Sequence, residues 1–395
     1  MGKYLFFYLA VLLIAAIFFR EDFIFTLVYL LLGTYFVSRW WGKRTLDALV
    51  VYRRAPERIF LGEQAQVRLE ISNTSWLPSV WLHVRESLPP AVTLSKPINQ
   101  VATLAPKGTV SLDYRLEGRR RGYYPIGPLI LHSGDIFGVV DQMEREFDPN
   151  FLTVYPKIIP FTRVPLPSHS PLGTLRHTQP VFEDPTRVIG KRDYVDGDSL
   201  RAVDWKTTGK TGKLQVKKFE PSIEIETQIF LNLDARDFNK RTPHLDTELA
   251  IVVAASIANW IIAQRQSVGL VTNGVDPLPG DGHAQPVPPR RGRNHLMRIL
   301  DVLARIEPGE WLPLVQMLHR ERVNLTWGMT QILITPAMKE DIFDALFLSR
   351  RSGLDTVILL TGHSSDARTV QHQAGTFGFP VALLQDERDL DIWRH

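Results

Sequence analysis

The chain has 395 residues, 44% of them hydrophobic and 22% charged, with a formal net charge of +4 and no cysteine. That length allows two or three domains with their own cores. The lack of cysteine excludes disulfides, thiolate metal sites and thiol nucleophiles. A charge of +4 over so long a chain is weak support for a nucleic-acid partner, which is read as unlikely.

The N-terminus reads as a membrane hairpin over residues 1–42. Tyr4 to Phe19 is an unbroken apolar run; Arg20, Glu21 and Asp22 interrupt it; Phe23 to Val37 is a second run broken only by Thr26, Gly33 and Thr34. Each run falls somewhat short of the roughly 20 residues that span a bilayer. Lys3, Arg20, Arg39, Trp40 and Trp41 flank the runs and extend them by snorkelling or interfacial anchoring. A signal peptide fits less well, because no small-residue cleavage site follows and a second apolar run comes at once. Residues 4–38 are therefore expected to sit in the membrane. Lys3 precedes the first run, and Arg39, Lys43, Arg44, Arg53 and Arg54 follow the second. The positive-inside rule then places both ends, and all that follows, on the cytoplasmic side of the inner (plasma) membrane.

Residues 50–160 read as a β-sandwich of immunoglobulin type. Val67, Leu69 and Ile71 alternate with Arg68, Glu70 and Ser72; Val80, Leu82 and Val84 alternate likewise, as do Val110, Leu112, Tyr114 and Leu116. This period of two marks half-buried strands, and Gly62, Asn73, Pro78, Pro89-Pro90 and Gly118 punctuate them. Arg119-Arg120-Arg121-Gly122-Tyr123-Tyr124, with Gly134-Asp135-Ile136-Phe137-Gly138, reads as a charge-protected edge strand and a glycine turn capped by Asp135, or as a docking surface. Residues 161–186 are rich in Pro, Ser, Thr and His and form a linker.

Residues 187–395 read as an α/β domain. Strands are expected at Ile225–Asp234, Val268–Val271, Gln331–Thr335, Asp355–Thr361 and Val381–Leu384, and helices at Leu245–Gln266, Asn294–Ile306, about 338–350 and about 365–374. Asp246 or Thr247 is placed to cap the first helix. Its run Leu249 to Ala258 is apolar all round, too short for a third span, and reads as buried. Short apolar strands alternating with helices predict a doubly wound parallel sheet covered on both faces. Ligands on such sheets bind beyond the carboxyl ends of the strands, where Asp234, Asn273 and Thr335 fall.

The stretch Arg187 to Lys218 opens this domain. It holds nine Lys/Arg and four Asp, a charge of 9 − 4 = +5 against +4 for the whole chain. In the structural reading, Gly197 makes a tight turn, Asp198 caps a short helix over about 199–206, and Arg192, Arg201 and Asp204 form an ion-pair network. Tyr194 and Trp205 then pack on the sheet. In the functional reading the cluster stays exposed and docks an acidic partner or anionic lipid. The candidate partner-binding residues are Arg192, Tyr194, Asp198, Arg201, Trp205 and Lys206. Thr208-Gly209-Lys210-Thr211 lacks the first glycine of a phosphate-binding loop, since Asp204 stands there. Eleven histidines show no His-Glu-x-x-His spacing, and there is no Gly-x-Ser-x-Gly elbow, so no catalytic set and no cofactor is expected.

Arg192-Asp193-Tyr194-Val195-Asp196-Gly197-Asp198-Ser199-Leu200-Arg201-Ala202-Val203-Asp204-Trp205-Lys206 resembles the Arg-x-Tyr-x-x-Gly-Asp-x-x-Arg-x-hydrophobic-x-Trp pattern of the bacterial family called domain of unknown function fifty-eight. Gly212-x-Leu214-x-Val216-Lys217 fits too, as do Arg121-Gly122-Tyr123 and Asp135-x-Phe137-Gly138. The resemblance implies a membrane-anchored protein with a von Willebrand factor A-like domain, working beside a MoxR-type ATPase. It also implies a comparison with the Asp-x-Ser-x-Ser magnesium site of that domain. Here the first strand ends in Asp234-Ala235-Arg236-Asp237-Phe238, with Arg236 and Phe238 at the serine positions and Thr335-Pro336 ending the fourth strand. No metal is therefore expected. The reading is a membrane-anchored, non-enzymatic adapter; the alternative is a small-ligand or metal-binding protein, or a cryptic enzyme, using the strand ends.

Overall fold

The computed structural model describes residues 2–19, 22–93, 98–133, 143–162, 183–195, 198–221, 226–239, 241–278, 280, 282–363 and 367–394. The glycine turn expected at 134–138, most of the 161–186 linker and the turn at Gly197 lie outside them. The chain divides into two compact units, Met1–Lys157 with Leu300–Ile306, and Ile158–Ile299 with Glu307–His395.

The first unit begins with α1 (Gly2–Phe19) and α2 (Asp22–Asp47), which pack on each other through small or buried positions such as Leu9, Ala16 and Val28. Most of their other apolar side chains, including Phe18, Phe23, Tyr29 and Phe36, are exposed. α2 is long and apolar enough to cross a membrane, and Phe7–Phe19 is a shorter apolar helix. The far end of α2 is built into the next fold instead. Leu46 joins its core, and the Trp41 indole donates to Pro78 O at 3.1 Å. The Arg145 guanidinium donates to Leu46 O, Asp47 O and Leu49 O at 2.9–3.0 Å, satisfying carbonyls the helix end leaves open.

Ten strands follow: β1 (Leu49–Arg54), β2 (Arg58–Phe60), β3 (Gln64–Asn73), β4 (Ser79–Glu86), β5 (Asn99–Leu104), β6 (Thr109–Glu117), β7 (Gly122–Ile126), β8 (Leu129–Ser133), β9 (Met143–Phe147) and β10 (Asn150–Tyr155). A sheet in the order β1-β3-β6 and another in the order β5-β4-β8-β9 enclose one core that includes Leu69, Ile71, Leu82, Val84, Leu116 and Leu131. The unit is β-rich and built around one core, as expected, but that core also takes Ile59, Ile126, Leu152 and Val154 from a third sheet. That sheet runs β2-β10-β7, with β7 at its edge. The alternation expected in β3 is seen, with Val67, Leu69 and Ile71 inward. In β4 it fails at one end: an irregularity between Ser79 and Leu82 turns Val80 outward and buries Ser79.

The second unit opens with a hairpin of β11 (Glu183–Asp193) and β12 (Gln215–Pro221), between which lie a 3-10 turn (Leu200–Ala202) and α3 (Trp205–Thr211). Its main sheet comprises β13 (Glu226–Leu231), β14 (Ser267–Thr272), β15 (Val287–Arg290), β16 (Thr330–Thr335), β17 (Asp355–Thr361) and β18 (Val381–Leu384), in the order β15-β14-β13-β16-β17-β18. All pairs are parallel except β14 with β15. The helices are α4 (Pro243–Ala263), α5 (Arg293–Arg305), whose residues from Leu300 count with the first unit, α6 (Leu314–Glu321), α7 (Glu340–Arg351) and α8 (Ala367–Thr376). α4 is also apolar enough to span a bilayer, but 72% of its apolar window is buried within the fold. It joins β13 to its parallel neighbour β14, which places it on the sheet as expected. Its cap is Thr242, with Pro243 in the first turn; this corrects the expectation of Asp246 or Thr247, both of which lie further inside the helix. The order turns about β13: one connection leads to β14 on one side, the later ones to β16 on the other. Such a reversal opens a crevice at the carboxyl ends of the strands.

Candidate functional site

Two places in the second unit carry chemistry. The first is the hairpin. Arg192 clamps Asp198 with two bonds, Nη1 to Oδ2 at 2.6 Å and Nη2 to Oδ1 at 2.7 Å, and Asp198 also accepts from the Val195 amide at 3.0 Å. The guanidinium, then that amide, hold the Asp198 carboxyl at about 2, well below the usual carboxylate range. Lys191 Nζ reaches Asp204 at 2.7 Å. Asp204 caps α3 by accepting from the Thr207 amide at 3.1 Å, and it too is held at about 2, by Lys191 first and then by that amide. α3 closes on Gly212, whose φ of 70° requires a residue without a β-carbon penalty.

Several sequence expectations are corrected here. Asp198 is not a helix cap; Asp204 is, and the helix begins at Trp205 rather than 199. Asp204 pairs with Lys191, and Arg192 with Asp198. The side chain of Arg201 lies outside the described residues. Tyr194 is half-buried and Lys206 exposed. Trp205 does not pack on a sheet: it is 68% exposed, and Leu200 (63%) and Val195 (62%) are exposed as well. α3 buries no residue at all. The Lys191–Asp204 pair thus holds the start of a short helix whose one large apolar side chain, Trp205, faces solvent.

Because the Asp198 carboxyl is depressed when folded, its contribution is present above the unfolded value near 3.8 and is lost as pH falls through about 2. At neutral pH, Asp198→Asn should loosen the hairpin alone. Trypsin should then cut within 187–218 faster than in the wild type, with the rest of the chain unchanged; equal rates would show that the clamp does not order this segment.

The second place is the crevice beyond β13 and β16. Asn232 ties the strand ends together: its Nδ2 donates to Thr335 Oγ1 at 3.1 Å and Asp237 Oδ2 at 2.9 Å, and its Oδ1 accepts from Asn273 Nδ2 at 2.9 Å. Asn273 Oδ1 accepts from the Leu233 amide at 2.6 Å. The expected trio Asp234, Asn273 and Thr335 is therefore drawn together around a residue the sequence did not single out. Arg236 does not turn away from Asp234. Its Nε and Nη2 take the two carboxylate oxygens at 2.8 and 2.7 Å. Burial pushes the Asp234 carboxyl up, but the Arg236 side chain and amide outweigh it and leave it below the usual range. Lys339 likewise pairs with Asp237 at 2.7 Å. A divalent ion at this position would have to displace Arg236 from both oxygens.

Beside this filled position lies an open depression of about 530 Å³, lined by Asp237, Phe238, Asn239, Asp246, Pro336, Ala337, Thr361, His363 and Gln385. Sequence reasoning missed Asp246, Thr361 and His363. Asp246 was read only as a helix cap, and Thr361 closes a strand like any other β-branched residue.

Residues 190–326 match the family model described as "Protein of unknown function DUF58". Over 169 residues the chain is 26% identical to "Uncharacterized protein YeaD" of Bacillus subtilis (strain 168), an alignment that covers 42% of this chain and 40% of that protein. The match thus spans less than half the length of that curated relative. Among solved structures, the chain is similar to an aerotolerance-related membrane protein from Bacteroides fragilis NCTC 9343, at 13% identity over 43% of this chain and 94% of that one, with a TM-score of 0.31. It is also similar to the CARDB domain of a Pyrococcus furiosus protein, at 15% identity over 27% and 94%, with a TM-score of 0.20. Both scores are too low to establish a shared fold. The motif around Trp205 opens the segment, residues 190–326, that matches the family described as protein of unknown function DUF58.

Proposed function

We propose that this is a membrane-anchored, non-enzymatic interaction protein whose α/β domain, of von Willebrand factor A type, engages a partner through the α3 hairpin. The observation that carries the reading is Trp205, 68% exposed on a helix whose start is held by the Lys191–Asp204 pair. Solvated apolar side chains cost free energy in isolation, and tryptophan is a common anchor of protein interfaces. Lys206, Lys210 and Lys213, all exposed on the same segment, favour an acidic partner face. A MoxR-type AAA+ ATPase is the partner the sequence resemblance implies. The sheet order with β13 at its centre, and Asp234 and Thr335 at adjacent strand ends, supports the von Willebrand reading of the domain. The 3 + 4 strand partition supports an immunoglobulin-type sandwich as its spacer. The test is co-purification of partners with wild type and with Trp205→Ala/Lys206→Ala.

In this account α1 and α2 span the inner membrane and both soluble units are cytoplasmic. The absence of cysteine makes the topology directly measurable. A single exposed cysteine, Arg351→Cys, should resist a membrane-impermeant maleimide in intact spheroplasts and react fully once they are permeabilised. Labelling of intact spheroplasts would reverse the orientation.

A second reading, a small-ligand receptor at the strand ends, is supported by a different observation. The Thr361 hydroxyl on the crevice wall is buried and has no hydrogen-bond partner.

A further inference from the structure

The crevice is built unlike a surface dimple. Asp246 is 3% exposed and Thr361 1% exposed, yet both line the opening. Asp246 Oδ2 accepts from the Thr242 hydroxyl at 3.0 Å, and the first turn of α4 supplies partial positive charge. These explain how the carboxylate tolerates burial; among the described residues, the ionisable group facing Oδ1 is the imidazole of His363, at 3.9 Å. Among the described residues no lysine or arginine pairs with Asp246, whereas the neighbouring Asp234 and Asp237 are matched by Arg236 and Lys339. The Thr361 hydroxyl has no partner. A buried polar group left without a partner is costly, and where it lines an opening a ligand can supply the missing bond.

The backbone is shaped to keep the carboxylate there. Gly362 has φ of 89°, and a β-carbon on it would stand 2.6 Å from Asp246 Cγ and 2.8 Å from Oδ1. Only glycine lets β17 end so close to Asp246. Phe238, Pro336 and Ala337 give the crevice apolar wall beside these acceptors, and Gln385 and Asn239 add amides at its edge. About 530 Å³ is within the range of small-molecule sites and far more than a bare ion needs.

We infer that this crevice binds a primary ammonium or guanidinium group carried on an alkyl chain, with the cation on Asp246 and Thr361 and the chain along Phe238 and Pro336. Each element meets a need of such a group: an unmatched carboxylate for the charge, a free hydroxyl oxygen for an N–H, and an apolar lining for methylenes. An anion is disfavoured by Asp246 itself. The site is separate from the Trp205 surface, so this inference stands or falls apart from the adapter reading.

The test is isothermal titration of the full-length, detergent-solubilised protein with N-acetyl-L-lysine methylamide, N-acetyl-L-arginine methylamide, pentylamine and the uncharged N-acetyl-L-norleucine methylamide. At least one cationic probe should bind about tenfold or more tightly than the norleucine probe. Asp246→Asn, which keeps the shape and removes the charge, should abolish that preference. Preference for the lysine or arginine derivative over pentylamine would assign a peptide side chain as the source, and the reverse a free amine; both fit the site. Should Asn at 246 unfold the domain, Gln385→Ala and Thr361→Val serve in its place, with circular dichroism confirming the fold. Equal binding of charged and uncharged probes, binding unaffected by these substitutions, or no cationic binding at millimolar concentration would overturn the inference.

Discussion

Replacing Glu86 with alanine is expected to destabilise the sandwich by about 3–5 kcal/mol, the largest effect of any single substitution considered. Glu86 is wholly buried and its Oε1 pairs with Arg53 Nε at 2.8 Å; the Arg53 side chain is itself 4% exposed. Arg53 also donates to Asn150 Oδ1 at 2.5 Å and Asp148 O at 3.3 Å, so the cation is fixed between β1, β4 and the turn before β10. Beside them the Tyr114 hydroxyl is pushed up, by burial first and then by the Glu86 charge. Truncation at 86 leaves a buried guanidinium without its counter-charge, and the cost is that of the orphan rather than of the bond. The double replacement Arg53→Met/Glu86→Leu should therefore be far milder than either single change. Hydrogen exchange of β4 and β8 in the full-length protein reads the opening free energy of this unit separately from the other. A loss below about 1 kcal/mol for Glu86→Ala would show that water reaches the pair.

Gly362→Ala should cost about 2 kcal/mol or more in the second unit. A non-glycine residue at positive φ costs about 1–2 kcal/mol, and the new methyl must also push aside a carboxylate buried at the N-terminus of α4. Gly209→Ala is the internal control. Its β-carbon would meet nothing within 4 Å and its φ is ordinary. There, in α3, alanine should be neutral or stabilise by up to about 1 kcal/mol. Exchange measured in β17 should respond to the first substitution and not to the second. Equal effects would mean that Gly362 is not set by its contact with Asp246.

Much of this architecture is legible along the chain. The period-two runs of β3 and β6 and the buried run of α4 announce themselves, because each buries one consistent face or none of its faces. The parts that stay hidden have identifiable reasons. β15 reads Val287-Pro288-Pro289-Arg290, a loop by composition, and two prolines are tolerated only because it is an antiparallel edge. β11 and β12 are polar and irregularly paired, so they carry no period to read. Asp198 and Asp204 both look like helix caps locally, and only the positions of Arg192 and Lys191 decide between them. The strand-end residues Asp234, Asn273 and Thr335 were visible from the α/β pattern. Asp246, Thr361 and Gly362 were not, because their relation crosses more than a hundred residues.

The most direct test of the interaction reading is quantitative co-purification from detergent extracts, comparing wild type with Trp205→Ala/Lys206→Ala after both are shown to melt alike. A MoxR-type ATPase is expected to elute with the wild type and to fall at least about tenfold in the variant, the loss expected when an anchoring tryptophan leaves an interface. Equal recovery from both proteins would take the α3 hairpin out of the interface, and recovery of no ATPase from either would contradict the adapter account.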